Sequence, residues 1–137
     1  MSPKTIAMAA AFVGVFGATA PASAHHSFAS VFDADKPVEL HGVLVEIRLQ
    51  NPHSWFYVDV TDADGKVVRW GFEGSTPTSL IRSGFKPTSL KVGDEVTVKG
   101  SRARDMSKNE GAARSFTLKD GRTFIVGPLG NEADSKY

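Results

Sequence analysis

The feature of this chain that most constrains its fold is a pair of alternating segments joined by a turn sequence. In residues 54–61, Phe56 and Val58 alternate with Trp55 and Tyr57, and residues 67–73 alternate in the same way. Because successive side chains of a strand point to opposite faces, each segment predicts a strand with one apolar face. Between them lies Asp-Ala-Asp-Gly-Lys, which is typical of a hairpin turn. The chain is therefore expected to build an antiparallel sheet.

Further strands are predicted on both sides of this hairpin. Residues 38–49 alternate with Val43, Val45 and Ile47 on one face, and Gly42 is a candidate for a bulge or bend. His41 shares the parity of Val43, so it is expected to pack within the sheet. Later segments predict a fourth strand over 95–100, a polar loop over 105–111 and a closing hairpin of residues 114–118 and 122–126.

One short helix is expected between the third and fourth strands. Thr76 is a favourable N-cap, Pro77 suits the first helical position and Gly84 is a natural stop. Three strands, a helix and then two more strands form the chain order of the OB-fold, a five-stranded Greek-key barrel, and an extra sixth strand is possible here. The predicted fold class is thus all-β, a small five- to six-stranded OB-like Greek-key barrel. Another small barrel or an open sandwich has the same periodicity and stays open as an alternative.

The N-terminus has the three-part layout of a secretory signal peptide. Lys4 precedes an apolar run over residues 6–20, and Ala22 and Ala24 occupy the small-residue positions of a cleavage site. Cleavage before His25 would leave 113 residues, which is enough for one domain. We divide the chain into a signal peptide (1–24), an N-terminal arm (25–37), an OB-like barrel (38–127) and a polar tail (128–137). The expected location is periplasmic or secreted, with no segment that spans the membrane.

Charge and cysteine content restrict the partners. Loss of Lys4 with the leader leaves 15 Lys and Arg against 15 Asp and Glu. A balanced surface argues against nucleic acid and against adsorption to a membrane, both of which depend on a cationic excess. The chain has no cysteine, so disulfides and thiolate metal sites are excluded.

Several short motifs together resemble one family of exported proteins. They are His25-His26-Ser27-Phe28, Phe32-Asp33 with Lys36-Pro37, Leu40-His41-Gly42, Asn51-Pro52-His53 and residues 90–96. The chain is similar in these motifs to small exported bacterial proteins classed as a domain of unknown function. The resemblance extends over the expected mature chain and implies an OB-like barrel outside the cytoplasm. It implies no activity.

The first functional hypothesis is a copper site at the mature N-terminus. An N-terminal His25 would offer both an α-amine and an imidazole, and His26 and His53 would add further imidazoles. Nitrogen donors of this kind suit Cu(II), and the proline-containing loop at residues 51–53 could hold His53 at the barrel rim. The opposing interpretation is that these histidines are ordinary polar residues of an arm and a loop.

The second hypothesis is a binding surface without metal. Trp55 and Tyr57 share the outward face of their strand, and Arg48 and Arg69 lie on the neighbouring strands. Such a set could stack on a sugar, an aromatic ligand or a peptide. Its alternative is that Phe28 and Phe32 of the arm cover Trp55 and leave no platform. If the arm floats free of this surface, the platform stays open.

Catalysis has no support in the sequence. The chain contains no G-x-S-x-G, no H-E-x-x-H, no phosphate loop and no nucleophilic cysteine. The expected function is therefore that of an exported, non-catalytic binding or accessory protein. Its partner would be a small molecule, a metal or another exported protein.

Overall fold

The computed structural model describes residues 28–128, and most of these residues lie in strands. The eight elements, in chain order, are α1 (Phe28–Val31), β1 (Phe32–Arg48), β2 (Trp55–Thr61), β3 (Val67–Glu73), α2 (Pro77–Arg82), β4 (Glu95–Ala103), β5 (Glu110–Leu118) and β6 (Thr123–Ile125). The predicted all-β class is confirmed, and α2 lies between the third and fourth strands as expected. Within residues 28–128, no helix is long and apolar enough to cross a membrane. His25, His26, the predicted signal peptide and all of the predicted tail except Pro128 lie outside the described residues.

The strands form one sheet in the order β3-β2-β1-β4-β5-β6. Neighbours in this order pair antiparallel, and an additional parallel pairing joins β3 to β5, with Phe72 opposite Gly111. The long strand β1 makes this arrangement possible because its first part pairs with β4 and its last part with β2. The last residues of β3 therefore lie beside the first residues of β5, although the two strands are far apart in sequence.

The apolar faces of the strands meet in a core rich in phenylalanine. Phe56, Phe72 and Phe116 are fully buried. The centroid of the Phe116 ring lies 5.1 Å from that of Phe56 and 6.4 Å from that of Phe72. Helix α2 closes this core with Leu80, which is 1% exposed. The helix begins as predicted, with the Thr76 hydroxyl accepting a hydrogen bond from the Ser79 N–H. The alternation predicted for β2 and β3 is confirmed by the burial of Phe56, Val58 and Phe72.

The prediction of which β1 side chains point toward the core was wrong for the first half of the strand. Leu44 is completely buried, whereas Val43 is 40% exposed, so the inward parity is the opposite of the predicted one. The reason is a bulge at Val45: Leu44 faces Val58, but Glu46 already faces Tyr57. The bulge shifts the alternation, so that Ile47 faces Phe56 on the core side. Periodicity over the whole strand averages across this break and assigns the wrong face to its first half.

Three smaller differences also come from pairing between strands. Strand β1 begins at Phe32 because residues 32–33 already pair with β4, and the predicted turn before Pro37 is an irregularity within the strand. Strand β5 begins at Glu110, since Glu110 pairs with Gly71 of β3. Gly42 is not the bulge: an added Cβ there would lie 2.3 Å from the Asp59 carbonyl oxygen, so its role is close strand approach.

Candidate functional site

The outer surface of β2 and β3 carries two aromatic rings side by side. Because Phe56 and Val58 face the core, Trp55 and Tyr57 must face outward. Their ring centroids are 6.3 Å apart and their planes are inclined by 21°. Both residues are only partly buried. We call this surface, with the side chains that border it, the aromatic face.

Gly71 lies beneath these rings. It pairs with Tyr57 across β2 and β3, and its outward position carries no side chain. A Cβ at Gly71 would lie 3.3 Å from Tyr57 Cε1 and 3.5 Å from Trp55 Cζ3. The edges of both rings therefore pack closely over one glycine, which is buried beneath them.

The predicted arginines lie on the same face, and each forms an ion pair. Arg69 donates two hydrogen bonds to Asp59, from Nε at 2.8 Å and from Nη2 at 3.1 Å. Arg48 donates through Nε to Glu46, and its guanidinium carbon lies 5.0 Å from the centre of the Tyr57 ring. The hydrogen bond from Arg69 lowers the pKa of the Asp59 carboxyl, and the same bond raises the pKa of Arg69. The Arg69–Asp59 pair therefore stays charged at neutral pH, and each arginine has a carboxylate in direct contact.

A loop between β4 and β5 completes the site. A shallow open groove of about 300 Å³ is lined by residues of β2, β3, this loop and the start of β5, namely Tyr57, Arg69, Gly71, Lys108, Asn109 and Glu110. The loop is attached to β3 because the Gly71 N–H donates to the Asn109 carbonyl at 2.9 Å. Sequence analysis missed residues 108–110, since a polar loop has no periodicity and its contact with β3 depends on the parallel pairing.

Arg102 of β4 stabilises the loop between β4 and β5. Its guanidinium lies 4.5 Å from the Trp70 ring centre and donates through Nε to Met106 Sδ at 3.1 Å. Its Nη2 also lies 3.4 Å from the carbonyl oxygens of Met106 and Lys108. The wall of the groove is thus held by side-chain contacts as well as by the backbone.

The N-terminal aromatic residues do not cover the platform. The Phe28 ring packs on Phe32 at 5.4 Å, and Phe32 is buried opposite Ala103 of β4. Arg104 stabilises this segment, because its Nε donates a hydrogen bond to the Ala29 carbonyl oxygen at 2.7 Å. Among the ring pairs of residues 28–128, Trp55 pairs with Tyr57 and with neither of these phenylalanines.

His53 lies at the edge of the aromatic face, directly before β2. It follows the cis peptide bond between Asn51 and Pro52, and its Nδ1 is 3.0 Å from Glu73 Oε1. The imidazole is 39% exposed. Residues 28–128 contain no group of three or more His, Asp or Glu side chains suited to a metal ion. The copper hypothesis therefore depends on His25 and His26, which are outside the described residues.

His41 does not occupy the packed position expected of it. It is exposed on β1, and its Nδ1 is 2.8 Å from Thr97 Oγ1 of β4. The cause is the same as for Val43, since both residues precede the bulge at Val45. A second open groove, of about 450 Å³, borders Glu95, Lys119, Asp120 and Arg122, which pair with one another.

A family model described as a family of unknown function (DUF6152) matches residues 13–113. The match includes the whole aromatic face and the loop that borders its groove. No curated protein and no solved structure matches the chain.

Proposed function

The chain belongs to DUF6152, a family of unknown function, and from its own residues we propose that it is a binding protein that holds its ligand on the aromatic face. The observation that carries this proposal is the pair of partly exposed rings, Trp55 and Tyr57, which pack side by side over Gly71 on the outer surface of the sheet. The exposed faces of such rings can stack on a ligand. Export past the cytoplasmic membrane is part of the proposal and is supported by the signal-like leader.

The topology supports an OB-like barrel as the scaffold. The pairings run from β3 through β2, β1, β4 and β5 and return to β3, with α2 between the third and fourth strands. OB-folds bind their ligands on the face of strands two and three, between the loops that follow strands one and four. In this chain those loops contain His53 and Lys108, and the aromatic face lies between them.

Substitution of Trp55 on the aromatic face tests the proposal. Purified protein with Trp55→Ala is compared with the unchanged protein on arrays of glycans and short peptides. We expect a ligand class that the unchanged protein binds to lose about five- to 150-fold in affinity, because stacking on one ring contributes about 1–3 kcal/mol. Ile81→Ala is the matched control, since Ile81 is an apolar residue of α2 that is 69% exposed. Equal binding by Trp55→Ala and Ile81→Ala would reject the aromatic face as the site.

A copper site is the second candidate function, and the contact of His53 with Glu73 favours it. Histidine ligands usually bond a carboxylate through the ring nitrogen that does not bind the metal. With Nδ1 beside Glu73, Nε2 of His53 would be the copper ligand, and the α-amine and ring of His25 with His26 would complete the site. Copper carriage or storage would require no further residue.

Copper titration of protein with a verified His25 start tests this candidate. We expect tight binding that strengthens as pH rises, because the α-amine must lose its proton to bind. His53→Ala and one extra residue before His25 should each weaken binding by about tenfold or more. His41→Ala is the control, since His41 bonds Thr97 on another part of the sheet. Binding that is unaffected by the extra residue would eliminate the α-amine as a ligand.

A further inference from the structure

We infer that the ligand of the aromatic face is a short neutral oligosaccharide, an inference that rests on the proposed function and names its ligand class. Three features of the aromatic face favour this ligand: the charge around the rings, the hydrogen-bonding groups beside them and the size of the groove.

The charges around the rings are compensated. Three cationic side chains and four anionic ones border the face, namely Arg48, Arg69 and Lys108 with Glu46, Asp59, Glu73 and Glu110. Arg48 and Arg69 each have a carboxylate in direct contact. An anionic ligand would have to displace these carboxylates or bring its own charge beside them. The face therefore disfavours an anionic ligand, whereas a neutral ligand leaves these ion pairs intact.

The same ion pairs offer hydrogen bonds next to the rings. Arg69 uses Nε and Nη2 for Asp59, and within residues 28–128 its Nη1 makes no hydrogen bond. Arg48 uses Nε for Glu46. The two guanidiniums are held in place by their carboxylates, and their remaining N–H groups can donate to hydroxyl oxygens. Ligands that combine an apolar ring face with hydroxyls at the ring edge match this pattern, and sugars have both.

The size of the groove favours a short ligand. The groove holds about 300 Å³ and is bounded on one side by Lys108, Asn109 and Glu110. This volume is at the lower end of small-molecule sites, which span about 300–1,000 Å³. The groove thus suits a short sugar chain that stacks on Tyr57, with the neighbouring Trp55 ring extending the stacking surface.

Binding is measured with cellohexaose and maltohexaose as neutral probes and with oligogalacturonate as an anionic one. Trp70 lies on the other side of β3, so Trp70→Phe leaves Trp55 as the single tryptophan reporter. We expect a neutral probe to change the Trp55 emission and to bind equally at about 50 and 500 mM salt, because no net charge is neutralised. Calorimetry of the unchanged protein with the same probes checks the reporter variant.

Two variants test the site without removing its rings. Gly71→Val displaces the rings that pack over this position, since the three nearest atoms to an added Cβ are carbons of Tyr57 and Trp55, and should weaken the neutral probe at least about tenfold. Asp59→Asn keeps the shape of the side chain but releases Arg69 from its carboxylate. We expect this variant to gain affinity for oligogalacturonate, with binding that falls as salt increases.

The outcomes separate this inference from the proposed function. If the arrays yield a peptide or an anionic ligand whose binding depends on Trp55, and neither neutral hexasaccharide binds, the saccharide inference is overturned and the aromatic face stands. If a neutral probe binds equally to Gly71→Val and to the unchanged protein, the inference fails. If no ligand class depends on Trp55, the proposed function fails as well.

Discussion

Gly100→Ala is expected to destabilise the protein by about 4 kcal/mol or more, or to prevent folding. Gly100 lies in β4 where the register with β5 shifts, and an added Cβ would be 1.9 Å from the Ala112 carbonyl oxygen. A backbone carbonyl cannot rotate away as a side chain can, so β4 and β5 would have to separate. Their separation would break ladder hydrogen bonds and open the core above Phe116. Urea unfolding followed by far-UV circular dichroism measures the loss.

The matched control for Gly100 is the same substitution at Gly71. Gly71 is also a buried strand glycine, but the nearest atoms to its added Cβ are ring carbons of Tyr57 and Trp55, which can shift by a few tenths of an ångström. Gly71→Ala should change the unfolding free energy by less than about 1 kcal/mol. Similar effects at the two glycines would contradict the close approach of β4 and β5.

Phe56→Ala is expected to cost about 3–5 kcal/mol of unfolding free energy. Phe56 is completely buried, and its ring contacts Phe116 at 5.1 Å and Phe85 at 6.1 Å. Removing the ring leaves a cavity between β2, β5 and the segment after α2. For a domain of about 100 residues, the melting temperature should fall by more than about 10 °C. Differential scanning calorimetry gives both quantities.

Phe56→Leu and Ile81→Ala calibrate this result. Leucine restores part of the lost volume, so its cost should be clearly smaller than that of alanine. Ile81 is 69% exposed, and its truncation should change stability by less than about 0.5 kcal/mol. A loss below about 1 kcal/mol for Phe56→Ala would mean that the three phenylalanines do not form the centre of the core. Because Phe56 holds the strand that presents Trp55 and Tyr57, the aromatic face depends on it.

Local patterns predicted the elements and part of the site. The alternation of β2 placed Trp55 and Tyr57 outward, and the position of Arg69 in β3 placed its side chain on the same face. Thr76 and Pro77 predicted the start of α2, and Gly65 at a φ of 81° lies in the predicted hairpin turn. All of these features depend on residues within one strand, one turn or one helical turn.

Features that depend on distant pairing were not predicted. The bulge at Val45 reversed the expected faces of Val43 and His41, and it arises from the register between β1 and β2. The loop that carries Lys108 and Asn109 contacts β3 only because β3 and β5 pair in parallel. Nothing in the local sequence of residues 104–110 indicates this contact.

The sequence by itself determined that the chain is all-β, where α2 lies and which side of β2 its aromatic rings occupy, because the period of two is a property of each strand. The tertiary structure decided which strands meet, and hence that Gly71, Arg69 and the loop at residues 108–110 surround Tyr57. It also decided that Arg69 of β3 pairs with Asp59 of β2, because their contact depends on the register between these two strands. Register between distant strands is set by the packing of the whole core, and no single segment encodes it.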